Sequence, residues 1–322
     1  MSHRHIGRMV AGLVFALAAN AAHANDYPSR AIRLIVPYSA GGPGDTVSRA
    51  YANELSKALN QTIVVENRPG AGTAIGTQAA KQAPADGYSL LFATAGIVST
   101  MLGLKNPGYS MDDFVPVAML GDQYYVLMVS RALPASNFQE FVEHARKHPD
   151  KMNYATLGAG AASHVLADRL QRAAKFQWQE ISYKGAGPAI QALMSNDVQG
   201  YFTTQSSAVS LLDSDKVRSI AIASDERGEF LPSVPTFKEL GYDGIVDRGW
   251  YAILIRASTP PEMIDRLRSA SRQAINSPEM KSHLKSLGLS PSKVSIENFR
   301  KLITQELQIR ADDNRRLGIE PQ

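Results

Sequence analysis

Cysteine is absent from all 322 residues of the chain. Disulfides, zinc–thiolate centres and thiol nucleophiles are thereby excluded, so stability has to come from a buried core. Signatures of hydrolytic chemistry are missing too: there is no G-x-S-x-G elbow and no H-E-x-x-H pair. Past residue 24 only His144, His148, His164 and His283 occur. His144 and His148 have helical spacing but sit in the charged stretch Glu143–Lys151, which reads as a solvated surface. His164 directly follows Ser163, and adjacent side chains at a helix start point apart, so the two make no nucleophile–base pair. No basic run with interleaved aromatics points to nucleic acid. Beyond the N-terminus no segment approaches about 18 consecutive apolar residues, the length that spans a bilayer. Catalytic residues, a metal site and a cofactor are each expected to be absent.

The N-terminus has a character of its own. Arg4 and Arg8 precede an apolar run from Met9 to Ala19 and then the triplet Ala22-His23-Ala24. This is the pattern of a secretory signal peptide, with cleavage expected after Ala24, and the run is too short for a membrane anchor. Loss of the two arginines lowers the net charge from +4 to +2. An exported, soluble chain of about 298 residues remains, long enough for two domains. Its 44% hydrophobic and 20% charged residues suit an ordinary core.

Apolar stretches of strand length alternate with amphipathic stretches of helix length, which predicts mostly parallel α/β sheets. Strands are expected at 32–36, 62–66, 88–93, 124–129, 152–156, 180–183, 198–202, 217–223 and 251–255. Helices are expected from Asp45, up to Gln82, at 138–147, at 163–174, after Pro188 and in the charged tail. No low-complexity linker is present, so the chain must cross between domains along ordered strands. Tyr124–Val129 and Tyr251–Ile255 are the long apolar candidates. That layout puts residues 25–125 and 250–322 in one lobe and 126–249 in an inserted second lobe.

Three turns share one chemistry. Pro37 to Gly44 ends an apolar strand and opens a helix at Asp45, and Leu157 to Ser163 and Lys184 to Pro188 do the same. A strand that stops at such a turn and feeds a helix leaves unbonded N–H groups at the positive end of a dipole, which suits an anion. In open α/β sheets ligands bind at these strand ends. Taken singly, each turn could serve chain geometry alone, and Asp45 could be a plain helix N-cap; three together favour a ligand. Gly70 to Gly76 also follows a strand, as a dinucleotide-binding turn would. Against that, Arg68-Pro69 intervenes, the last spacing is one residue too long, and no acidic residue ends the next strand.

The runs IRLIVPYSAGGPGD, VVENRPGAGTAIG, DGYSLLFAT, NYATLGAGAASH, YKGAGPAI and LPSVPTFKELGY occur in this order, followed by Trp250-Tyr251 and Thr259-Pro260. Together they resemble the periplasmic solute-binding proteins of tripartite tricarboxylate transporters, the Bug family, over nearly the whole chain. The resemblance implies an α/β, two-lobed type II periplasmic-binding-protein fold with a ligand cleft between the lobes. It implies a periplasmic monomer without catalysis that delivers a small carboxylate, such as a di- or tricarboxylate or an aromatic acid, to integral-membrane permease subunits. The ligand contacts it implies are Tyr38, Ser39, Gly41, Gly42, Asp45, Thr94 and Ala95 in the first lobe. In the second they are Thr156, Ala161, Ala162, Ser163, His164, Lys184, Gly185, Phe202 and Gln205. Asp45 would fix its turn and reach the ligand through water.

Neutral N–H donors suit a carboxylate, because charge-assisted bonds are strong and no unpaired cation is buried when the cleft is empty. Lys184 could equally be an exposed lysine. Ser39-Ala40 stands where many relatives carry proline, and Gln199, Gly200 and Thr203-Thr204-Gln205 replace acidic or asparagine-bearing positions. These departures disfavour an amino-acid ligand, whose ammonium wants an acidic partner. An exported enzyme and a ligand-sensing partner of a signalling receptor are the alternatives. The first lacks a nucleophile–base pair, and the intact turns argue against a scaffold that has lost its ligand.

Overall fold

A computed structural model describes residues 27–321; the expected signal peptide and its cleavage after Ala24 lie outside the described residues. Strand Ile32–Val36 (β1) is flanked by Ile63–Asn67 (β2) and Ser89–Thr94 (β3), both parallel to it. Alternate residues face opposite ways, as the period of a strand requires. Leu34, Val36, Leu90 and Phe92 pack on Val47, Tyr51 and Leu55 of the helix Pro43–Leu59, while Ile35, Leu91 and Ala93 join a second cluster with Val98 and Phe299. The helix presents Val47, Tyr51, Leu55 and Leu59 as one buried stripe. Tyr51 carries a hydroxyl into this core and pairs it with Ser271 Oγ at 2.6 Å.

Two long strands join the halves, Phe114–Ser130 (β4) and Arg248–Arg256 (β9). β9 runs antiparallel to β3 and to the Phe114–Tyr124 part of β4. From Tyr125 onward β4 pairs instead with Gly200–Thr204 (β7), and from Val126 also with Val217–Ile222 (β8), both antiparallel. Asn153–Thr156 (β5) lies parallel to β7 and to Gln179–Ser182 (β6). The path is β2-β1-β3-β9-β4-β7-β5-β6, with β8 on β4. The expectation of mostly parallel sheets is corrected here: every pairing of β4 and β9 is antiparallel. One of these strands carries the chain out to the second lobe and the other brings it back, so they oppose each other. β4 also begins at Phe114 rather than Tyr124. Pro116 and Gly121 hide its first half in the sequence, and the ladder slips register beside both.

The second lobe has its own two-faced core. Leu127, Val129 and Phe202 pack on Phe141, Leu166 and Leu170, and Val126, Met128 and Tyr201 on Ala189, Leu193 and Ala208. The final helix, Phe299–Leu317, serves both lobes. Its first turns bury Phe299, Leu302 and Ile303 in the first lobe. At ~1.5 Å per residue it extends roughly 28 Å, and its far end pairs with the second-lobe helix Ala162–Ala174 through Asp313–Arg169 at 2.6 Å and Arg316–Asp168 at 3.2 Å.

Candidate functional site

Tyr38 follows the end of β1. Its ring stands edge-on to Phe92 with 6.2 Å between centroids, and its hydroxyl bonds Thr94 Oγ1 at 2.7 Å. The same threonine oxygen accepts from the Gly96 N–H at 3.1 Å, which ties the ends of β1 and β3 together. Burial raises the Tyr38 phenol, and the Thr94 bond offsets this only partly, so the hydroxyl keeps its proton. A Cβ at Gly44 would lie 3.0 Å from the Tyr38 ring and 3.2 Å from Phe92. The helix start therefore closes on the ring at a distance that suits glycine.

Asp45 turns all its acceptor capacity inward. It is buried and accepts from the Gly41 N–H, Arg49 Nε and Asn67 Nδ2, each at 2.9 Å. Burial alone would raise its carboxyl, but the bonds from Arg49, Gly41 and Asn67 outweigh that and hold it at about 2. Asp45 thus fixes the turn, and the Gly41 N–H is engaged by it rather than free for a ligand.

In the second lobe β5 stops at Thr156, and a loop leads to the helix Ala162–Ala174. Gly158 (φ +109°) and Gly160 (φ +76°) take left-handed conformations there. The loop satisfies most of its own donors. Leu157 N–H donates to Ser163 Oγ at 3.2 Å, Gly158 N–H to Thr156 Oγ1 at 3.1 Å and Gly160 N–H to His164 Nδ1 at 3.2 Å. Ala161 N–H donates to Gly158 O at 3.1 Å. The N–H groups of Ala162 and Ser163, in the first helical turn, have no partner among the described residues and are the free donors of this wall.

Between the walls lies a cavity of about 580 Å³, within the usual size of small-molecule sites. Tyr38, Ala71, Gly72, Thr73, Ala95, Gly96, Ser99 and Thr100 line it from the first lobe, and Leu157 and Ala159 to Ala162 from the second. Tyr125 of β4 and Arg310 and Asn314 of the final helix complete it, with Ile319 beyond. Thr73 is β-branched yet sits at φ +120°, so backbone strain is held on the cavity wall. Its buried Oγ1 has no partner among the described residues. Arg310 places Nη1 and Nη2 on the two oxygens of Asp247 at 3.0 and 2.9 Å, both residues buried, while its Nε has no partner. Burial opposes the guanidinium charge, but Asp247 and Glu306 outweigh it and raise the pKa, so the cation persists. The Tyr125 phenol is raised by burial first and by Asp247 second, and it remains a hydroxyl.

Of the residues expected from sequence, Tyr38, Ala95, Ala161 and Ala162 meet around this cavity. Thr94, Thr156 and Ser163 stand behind them and hold the walls through the bonds above. Ser39, Gly41 and Gly42 form the turn beside the cavity without lining it. His164 borders a neighbouring cavity with Lys105 and residues 317–321, its Nε2 3.8 Å from Glu180. Lys184 is exposed, Gly185 (φ +125°) precedes the helix Ala186–Met194, and neither lines the cleft.

Two expected contacts are corrected. β7 continues to Thr204, so Phe202 is mid-strand and packs into the core, 5.8 Å from the Phe237 ring. Gln205 is fully buried and donates from Nε2 to Gly288 O at 2.9 Å, joining the second lobe to the first. Gln199 is likewise occupied by Asn153 N–H and Asn196 O, both at 2.9 Å. None of these residues lines the cleft, so none of them disfavours an ammonium there. Sequence reasoning missed Ala71 to Thr73, Ser99, Thr100, Tyr125, Arg310 and Asn314. The Gly70–Gly76 run carried the signal for the first of these; nothing in the charged tail marked Arg310.

Residues 47–313 match the family model for the tripartite tricarboxylate transporter family receptor, TctC. BugT of Bordetella pertussis is 32% identical over 304 residues, covering 93% of both chains. Among solved structures, MatC from Rhodopseudomonas palustris with bound malate is 28% identical with a TM-score of 0.75, over 89% of this chain and 99% of its own. R. palustris Rpa4515 with adipate is 25% identical with a TM-score of 0.81, over 92% of this chain and 100% of its own. These matches run through both lobes and the cleft they enclose, and the chain belongs to the TctC, or Bug, family of periplasmic solute-binding proteins.

Proposed function

We propose that this protein captures a small carboxylate, a di- or tricarboxylate or an aromatic acid, in the cleft and delivers it to the permease subunits of a tripartite tricarboxylate transporter. The observation that carries this is the cavity itself. The free N–H group of Ala162 and the Arg310 cation border it, and no carboxylate is among its described lining residues. Such a lining favours an anion. The malate in MatC and the adipate in Rpa4515 are dicarboxylates and support the same ligand class. In this reading residues 25–125 and 250–322 form one lobe and 126–249 the other, a division supported by the switch of β4 from β9 to β7 and β8 at Tyr124 and Tyr125. The signal peptide is removed after Ala24, and the mature monomer binds without turnover.

The test is a thermal-shift screen of the mature chain, unfolded and refolded to strip bound ligand. The panel is C3 to C8 dicarboxylates, citrate, aromatic acids and acidic amino acids. A ligand at about 100 times its Kd adds about 2.7 kcal/mol of stability, a rise of several degrees in Tm for a chain of this size. A rise with one class of acid supports the proposal, and no rise with any acid overturns it.

A further inference from the structure

Resting on the carboxylate reading above, we infer that the C-terminal helix decides which acid the cleft accepts. Arg310 and Asn314 select an acid whose carbon body carries no ammonium. The two residues are one turn apart on the same helical face, and both line the cavity. Arg310 is the one charged side chain among the described lining residues. Its counter-ion, Asp247, does not line this cavity but shares a second one with Arg310. The lining of the cleft therefore includes the cation and not the carboxylate that fixes it, although that carboxylate still acts on the Tyr125 hydroxyl. The unpartnered Nε belongs to a side chain about nine-tenths buried.

Asn314 makes no side-chain hydrogen bond among the described residues, and a Cβ on Gly160 would stand 3.8 Å from its Oδ1. It thus lies against the loop that opens onto the free donors of Ala162 and Ser163. Ala95, Leu104, Leu157 and Ile319 add an apolar wall to the lining. A hydrocarbon body is at home against that wall. An ammonium on the same body would lose water beside a fixed cation with no carboxylate to receive it.

Glutarate and glutamate differ by that ammonium, and isothermal titration of the stripped mature chain compares them directly. The wild-type protein is expected to bind glutarate at least tenfold more tightly than glutamate. Asn314→Asp is nearly isosteric, adds a carboxylate to the lining, and is expected to weaken glutarate at least tenfold while narrowing or reversing the preference. Its circular dichroism and Tm establish that it is folded. Should neither C5 acid bind, succinate with aspartate or adipate with 2-aminoadipate replaces the pair at the chain length the cleft takes. Equal affinity for the two members of a pair, or an unchanged preference in folded Asn314→Asp, overturns this inference and leaves the carboxylate proposal standing. Failure of every acid to bind overturns both.

Discussion

Replacing Glu306 by glutamine should remove a pH dependence built into the helix that bridges the lobes. Glu306 Oε1 accepts from Trp250 Nε1 at 2.9 Å, while Oε2 is buried with no partner among the described residues. Burial is the main cause that lifts its carboxyl from 4.5 to about 7; Arg310 pulls the other way and Asp247 adds to the rise. The folded protein therefore holds this proton more tightly than the unfolded chain does. The stability linked to it is fully present below pH 4.5 and is lost as pH climbs through about 7. The gap between the two values corresponds to roughly 3 kcal/mol, or several degrees in Tm for a chain of this size. Glutamine keeps an acceptor for Trp250 and carries no charge. Urea unfolding of the stripped protein, followed by circular dichroism at pH 5, 6, 7 and 8, measures the difference. The wild type should lose stability across this range relative to Glu306→Gln, which should be the more stable protein at pH 8. Two parallel stability curves would refute the assignment of a buried, proton-holding carboxyl to this position.

The carboxylate of Asp45, held at about 2, carries the opposite sign: its contribution is present above its ordinary 3.8 and is lost as pH falls toward 2. Asp45→Asn should cost up to about 2 kcal/mol at pH 7 and flatten the acid limb of a Tm-versus-pH curve. Phe202→Ala should cost about 3–5 kcal/mol in denaturant unfolding while leaving the order of acid affinities unchanged; a reordered series would return Phe202 to the cleft. Ala162→Asp puts a carboxylate on the free donors of the second-lobe helix. It should stabilise that helix by about 0.3–1 kcal/mol yet weaken the best acid at least about tenfold, or 1.4 kcal/mol. Calorimetric affinity unchanged by this substitution would show that the Ala162 N–H does not meet the ligand.

The alternation of strands and helices is a local property, and it was legible in the sequence. Val47, Tyr51 and Leu55 mark a helix by their own spacing, and Gly158 and Gly160 mark a turn by the backbone freedom they supply. Both signals depend on neighbours a few residues away, which a linear reading supplies. The same holds for Tyr38 and Ala95, just past strand ends, and for Ala161 and Ala162, at a helix start. Phe202 was misplaced because β7 continues past it to Thr204, and a strand's end depends on how far its partner β4 continues to offer hydrogen bonds. The antiparallel course of β4 and β9, the entry of Tyr125 into the cleft and the seating of Arg310 on Asp247 are contacts between distant segments. No periodicity names such a partner. The sequence by itself determined the elements, the turns and the family; the tertiary structure decided which turns meet and made a charged tail helix part of the cavity wall, because the packing of two lobes selects among many faces that are locally equivalent.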